Sequence, residues 1–182
     1  MKITFVIGGS RSGKSSFALR EASGINGPKA YIATAEALDE EMKDRIEKHK
    51  VERGSDWDTY EESINVINVL SEIKDRYSAT VLDCLTIWLS NILLRTQMPE
   101  HGDKTADECI QELIAGLSRL NSSRDLNLFI VSNEVGMGIV PENSLARLFR
   151  DLAGALNQKV AGIADEVYLV TAGIPVKIKG QK

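Results

Sequence analysis

Cysteine is scarce in this sequence: Cys84 and Cys109 are the only two among 182 residues, and no C-x-x-C pair occurs. Two could form one bridge, but a chain that builds a full core needs none, so free thiols are expected. No run approaches the roughly 18 consecutive apolar residues of a transmembrane helix, so no membrane span is expected. Excess positive charge is also missing. A formal net charge of −4 argues against a general nucleic-acid binder, whose face is usually basic. Local basic clusters could still hold a phosphorylated small molecule. Met1-Lys2 leads straight into an apolar strand with no signal-peptide h-region, so a cytoplasmic protein is expected. Repeats, low-complexity tracts and interdomain linkers are lacking too. What remains is ordinary for one globular domain over 1–182, with 43 % hydrophobic and 26 % charged residues. A chain of this size hides about 70 % of the surface its unfolded form exposes.

Apolar β-rich runs alternate with helical patterns, which predicts an α/β domain with a mostly parallel sheet. Strands are expected at Ile3–Ile7, Ala30–Ala33, Thr80–Asp83, Leu128–Val131 and Val167–Val170. Helices are expected from Lys14 to a stop at Gly24, over 39–53, from Thr59 to Ile73, and over Leu85–Leu94, 106–120 and 144–163. The polar stretch 98–104 reads as a loop. The last run, Val176–Ile178, follows Gly173 and Pro175 too closely for a crossover, so it is expected to be antiparallel at the sheet edge.

Gly8-Gly9-Ser10-Arg11-Ser12-Gly13-Lys14-Ser15 satisfies G-x-x-x-x-G-K-[ST] in full and lies between a buried strand and a helix, where the chemistry requires it. Its glycines let the backbone turn tightly and aim N–H groups at phosphate oxygens, and the helix adds its positive end. Lys14 is expected on the β and γ phosphates of a purine triphosphate, and Ser15 on Mg²⁺ through its hydroxyl. Asp83 ends an apolar strand where a second Mg²⁺-facing carboxylate would stand. Asp83 could equally cap the helix that follows.

The chain has two histidines. His101 lies in the polar loop with no neighbours that suggest chemistry. On a helix, Met42, Arg45, Ile46, His49 and Arg53 share one face. A histidine on such a stripe is more often a packed residue than a catalyst. The cations Arg45, Lys48, Lys50 and Arg53 around His49 would disfavour imidazolium and keep a ring nitrogen free to attack. They also suit the end of a helix that begins with Asp39, Glu40, Glu41 and Asp44. Spacing leaves both alternatives open.

The run Asn133-Glu134-Val135-Gly136-Met137-Gly138-Ile139-Val140-Pro141-Glu142-Asn143 resembles the bifunctional adenosylcobinamide kinase/adenosylcobinamide-phosphate guanylyltransferase family of cobalamin biosynthesis. The similarity continues through Leu145-Ala146-Arg147, Phe149-Arg150-Asp151, Asn157-Gln158, Ala164–Val167 and Gly173–Lys177. Upstream it takes in Gly8–Ser15, Tyr31–Ala35, Arg45-Ile46 to His49, and Trp57 to Glu61, leaving mainly 96–127 unmatched. The resemblance implies a RecA-like P-loop fold, assembly as a homotrimer, and two reactions. One phosphorylates the aminopropanol hydroxyl of adenosylcobinamide with ATP or GTP. The other transfers GMP from GTP to the resulting phosphate through a GMP-histidine, giving adenosylcobinamide-GDP and pyrophosphate.

By that resemblance His49 is the nucleophile. Nucleotide contacts are implied at Gly8, Gly9, Ser10, Arg11, Ser12, Gly13, Lys14 and Ser15, at Ala33, Thr34 and Ala35, at Lys50, Val51, Glu52 and Arg53, and at Glu61 and Asp83. Lys48 stands where some members carry a second histidine, and Gly54 where many have proline. Glu134 is a candidate base for the kinase step. Two rival readings compete: a kinase without guanylyl transfer, and a GTP-dependent switch. The switch is disfavoured because no N-K-x-D base-reading motif occurs.

Overall fold

The computed structural model of the chain describes residues 1–36, 56–96, 104–120 and 126–180. Elements are numbered here in chain order among those residues. They are β1 (Lys2–Gly8), α1 (Lys14–Ser23), β2 (Lys29–Ala33), β3 (Trp57–Glu61), α2 (Val66–Ile73) and β4 (Ala79–Asp83). There follow α3 (Leu85–Thr96), α4 (Ala106–Leu120), β5 (Asn127–Asn133), α5 (Ser144–Ile163), β6 (Glu166–Thr171) and β7 (Ile174–Lys179). The expected helix over 39–53 and most of the expected 98–104 loop lie outside the described residues.

The strands form one seven-stranded sheet in the order β3-β2-β4-β5-β1-β6-β7. Every pairing is parallel except β6 with β7. The antiparallel edge strand therefore stands as expected. It is joined by a two-residue turn in which Ala172 and Gly173 both have positive φ (51° and 78°), the geometry that matches the twist of a tight hairpin.

Alternation along the strands divides the core between the two faces of the sheet. Ile3, Phe5, Ile32, Leu82, Leu128 and Ile130 point to the face covered by α2, α3, α4 and α5. Val6, Tyr31, Val81, Phe129 and Val131 point to the face covered by α1 through Phe17, Ala18 and Ala22. The central parallel strands β1, β2, β4 and β5 are buried on both sides, which is why they read as nearly continuous apolar runs.

The helix expected from Thr59 to Ile73 is corrected by the structure. Trp57–Glu61 is an edge strand paired only with β2, and the helix begins at Val66. Trp57 packs into one core face and Tyr60 against the other, as strand alternation demands. The three-residue spacing that suggested a longer helix included Ile64, which precedes the N-cap Asn65. There the Glu62 carboxylate accepts the backbone N–H of Ile64 (2.8 Å) and Asn65 (2.7 Å) and turns the chain into α2.

Candidate functional site

The parallel strands present their C-terminal ends along one edge, the side on which α/β sheets bind ligands. Register aligns Gly8 with Asn133, and it places Glu61, Ala33 and Asp83 in one row across β3, β2 and β4. Five strand ends thus converge where the sequence places the nucleotide.

Gly8–Ser15 runs from the last residue of β1 into the first turn of α1. Two of its glycines, Gly8 and Gly13, have a steric reason. A Cβ on Gly8 would collide with the Val170 carbonyl oxygen and lie 2.6 Å from Ser12 Oγ. Gly13, the N-cap of α1, has φ +91°, and a Cβ there would meet Gly173 Cα at 3.3 Å. Behind the loop, the Gly173 N–H donates to the Ser12 carbonyl at 2.9 Å, so the β6–β7 turn braces it. Arg11 takes positive φ (55°) at the exposed crown beside Gly9 and Ser10.

Lys14 is only 7 % exposed, and its Nζ donates to the Gly9 carbonyl at 3.1 Å, so the ammonium bridges across the loop. A buried cation in that position offers its charge to an anion seated in the loop. No side chain caps the N-terminus of α1. Ser12 Oγ is buried without a hydrogen-bond partner among the described atoms, a polar group that a phosphate oxygen can satisfy.

Ser15 lies in the first turn of α1, and α1 packs against β4, which ends at Asp83. The Asp83 carboxylate accepts a hydrogen bond from the Tyr31 hydroxyl at 2.9 Å. The peptide joining Asp83 to Cys84 is cis. A hydroxyl and one carboxylate, both hard oxygen donors, fit Mg²⁺, which binds through one or two protein groups together with substrate phosphates. Burial, followed by the neighbouring Asp83 charge, pushes the Cys84 thiol up to about 11, so it stays protonated despite the opposing pull of Lys14.

Ala33 ends β2, and Thr34 and Ala35 follow it at the same edge, but Thr34 is fully buried. Its hydroxyl donates to the Cys84 carbonyl and accepts from the Cys84 N–H, both at 2.8 Å. That side chain is committed to the backbone beside Asp83. Glu61 is exposed at the end of β3. Glu134 follows β5, with its N–H donating to the Gly8 carbonyl (2.9 Å) and its Oε1 accepting the Gly136 N–H (2.7 Å). His49, Lys50, Val51, Glu52 and Arg53 lie outside the described residues. Tyr31 and the β6–β7 turn were not singled out for the site by sequence reasoning. Both lie in segments that resemble the family, but their contacts join residues far apart in the chain, so the role of each is not readable locally.

Fold and loop together define a RecA-like P-loop protein. Among solved structures the chain is similar to a prototypical ATPase from the type III secretion system of pathogenic bacteria. That match has a TM-score of 0.59 at 11 % identity over 93 % of this chain, which spans about half (52 %) of the ATPase. It is also similar to the RadB recombinase, with a TM-score of 0.51 at 12 % identity over 92 % of this chain and 73 % of the recombinase.

Sequence similarity narrows the class. The chain belongs to the cobinamide kinase/cobinamide phosphate guanyltransferase family, whose model matches residues 4–178. It is 44 % identical to the bifunctional adenosylcobalamin biosynthesis protein CobU of Salmonella typhimurium, over 96 % of this chain and 98 % of that one. It is 40 % identical to the Escherichia coli protein of the same name, with the same coverage. With the bifunctional adenosylcobalamin biosynthesis protein CobP of Pseudomonas aeruginosa it shares 36 % identity, over 97 % of this chain and 96 % of that protein.

Proposed function

We propose that this chain carries both transfers of its family, and that one triphosphate loop serves both. It phosphorylates the aminopropanol hydroxyl of adenosylcobinamide with ATP or GTP. It then moves GMP from GTP to adenosylcobinamide phosphate through a covalent GMP on His49. The observation that carries this proposal is the family match over residues 4–178 on a chain whose P-loop is intact, with a buried Lys14 across it.

In guanylyl transfer a ring nitrogen of His49 attacks the α phosphorus of GTP, and the bond to the β-phosphate oxygen breaks. Pyrophosphate leaves and a P–N bond remains. A phosphate oxygen of the corrinoid then attacks that phosphorus, the P–N bond breaks and the imidazole is restored. Splitting one displacement into two is the gain from a protein nucleophile. Lys14 and the open N-terminus of α1 receive the charge that develops on the departing phosphates. Ser15 and Asp83 would hold Mg²⁺, which would neutralise phosphate charge. Lys50, Val51, Glu52, Arg53, Glu61 and the Ala33–Ala35 segment complete the nucleotide contacts.

In the kinase step the hydroxyl attacks the γ phosphorus directly, so no protein nucleophile is needed. Glu134, held beside Gly8, is the candidate to accept its proton. The working form is a cytoplasmic homotrimer, consistent with the exposed apolar side chains of Met137, Ile139 and Val140, which an assembly would cover.

The test uses GTP labelled on the α phosphorus, without corrinoid. The enzyme should release pyrophosphate in a stoichiometric burst and retain label through an acid-labile, base-stable bond. His49→Ala should abolish labelling and GMP transfer while keeping much of the kinase activity, and His101→Ala should change neither. Full GMP transfer by the His49 variant refutes the covalent route.

A further inference from the structure

We propose that the end of β2 is a bracket, built from the Tyr31 and Thr34 hydroxyls, that aims the Asp83 carboxylate at the cation of the bound triphosphate. The inference rests on the reading of Asp83 as a cation ligand. It assigns Tyr31 and Thr34 as positioning residues.

A single carboxylate at a strand end can rotate, and a rotating ligand holds a cation poorly, since Mg²⁺ demands near-ideal octahedral directions. Two sets of contacts remove that freedom here. The Tyr31 hydroxyl donates to Asp83 Oδ2 at 2.9 Å, which restrains the carboxylate through one oxygen and leaves Oδ1 for the cation. Tyr31 is itself packed in the core beneath α1, only 5 % exposed, so its ring is a fixed support.

The second set fixes the backbone that carries the carboxylate. The Thr34 N–H donates to the Asp83 carbonyl at 3.1 Å. The Thr34 hydroxyl meets both the carbonyl and the N–H of Cys84 at 2.8 Å. Thr34 is in turn tied down by Asn91, whose Nδ2 donates to the carbonyls of Thr34 (2.9 Å) and Ser63 (3.2 Å). Every link from α3 through β2 to Asp83 is a named hydrogen bond. Outer partners of this kind orient metal ligands and sustain affinity. A core tyrosine whose hydroxyl merely needed a partner would require no such second clamp.

The experiment follows Mn²⁺ by its electron paramagnetic resonance signal as it binds the full-length protein loaded with the α,β-methylene analogue of GTP. Tyr31→Phe keeps the ring and its packing, and Thr34→Val keeps the shape of the threonine. Each should weaken Mn²⁺ binding by about fivefold, the size of one ordinary hydrogen bond, and for Tyr31→Phe the analogue affinity in EDTA should stay unchanged. Asp83→Asn should weaken Mn²⁺ binding further, and Tyr31→Phe placed on top of it should add nothing. A hydroxyl with only a structural role would lower the melting temperature without moving the Mn²⁺ affinity.

If Asp83→Asn loses the cation but Tyr31→Phe stays within about twofold of the parent, the bracket is overturned and the cation site stands. If Asp83→Asn leaves Mn²⁺ binding intact, the cation site itself is overturned and the bracket with it.

Discussion

Two helices follow neighbouring strands of the sheet, and their N-termini are finished in opposite ways. β1 and β5 are neighbours, and Gly8 pairs in register with Asn133. The helix after β1 starts at Gly13, in the left-handed region, with no side-chain cap. The helix after β5 starts at Asn143, in extended conformation, whose side chain accepts the Ala146 N–H at 3.0 Å. Arg147 adds hydrogen bonds to the carbonyls of Pro141 (2.9 Å) and Glu142 (2.6 Å), so the chain closes this terminus itself. The difference separates an end built for stability from one kept for an anion. An uncapped N-terminus leaves backbone donors and half a unit of positive charge for the ligand.

The largest break in that contrast is Lys14→Ala. It removes the charge at the open end without touching the closed one. Both transfers should lose about 2–4 kcal/mol of transition-state stabilisation, as for one preorganised charge-binding group. Steady-state kinetics of the two reactions check this. Rates near the parent's in both would end the case for a shared loop.

The contrast also explains what was legible in the sequence. The P-loop was readable because its chemistry is local, with glycines, lysine and serine at fixed offsets between one strand and one helix. Helix α5 was expected at its observed bounds, 144–163, because Asn143 supplies the cap and an apolar period runs through Leu156 and Val160. β3 was missed because Trp57–Glu61, an edge strand with one partner, shows no clean alternation, and helical spacing follows at once. Tyr31 and Asp83 are 52 residues apart, and Gly173 reaches Ser12 from the far end of the chain. Such contacts come from strand order, which no local pattern encodes. Thr34, a nucleotide contact by resemblance, is fully buried, with its hydroxyl spent on Cys84, its N–H on Asp83 and its carbonyl accepting from Asn91.

Gly13→Ala sharpens the comparison from the backbone side. A side chain at φ +91° is strained, and its Cβ presses on Gly173 Cα at 3.3 Å. The expected loss is about 1–3 kcal/mol of stability, read in urea unfolding, together with weaker GTP binding. Wild-type stability and affinity would show that the left-handed turn is not what shapes the open end.

The loop leading to the closed terminus carries Met137 and Ile139, 82 % and 96 % exposed. Ile139→Asp should leave the unfolding of a single chain within about 0.5 kcal/mol of the parent, as for a surface change. If the homotrimer covers this side chain, the assembly should dissociate at higher protein concentration, with a cost of about 1.5–3 kcal/mol for one buried aliphatic side chain. Sedimentation velocity over a concentration series decides it. An unchanged profile would place the subunit contacts elsewhere.

The smallest expected effect tests the closed end alone. Asn143→Ala removes the acceptor for the Ala146 N–H, and loss of an N-cap costs about 1 kcal/mol. Asn143→Asp should restore most of it, because a carboxylate accepts the same N–H and favours the positive end of α5. Midpoints of urea unfolding for the three proteins give the measurement. GTP affinity should be the same in all three, since Asn143 serves the Ala146 N–H at this end and no nucleotide contact is assigned to it. A fall in GTP affinity matching that of Gly13→Ala would mean that the two ends work as one phosphate site, and the division between them would fail.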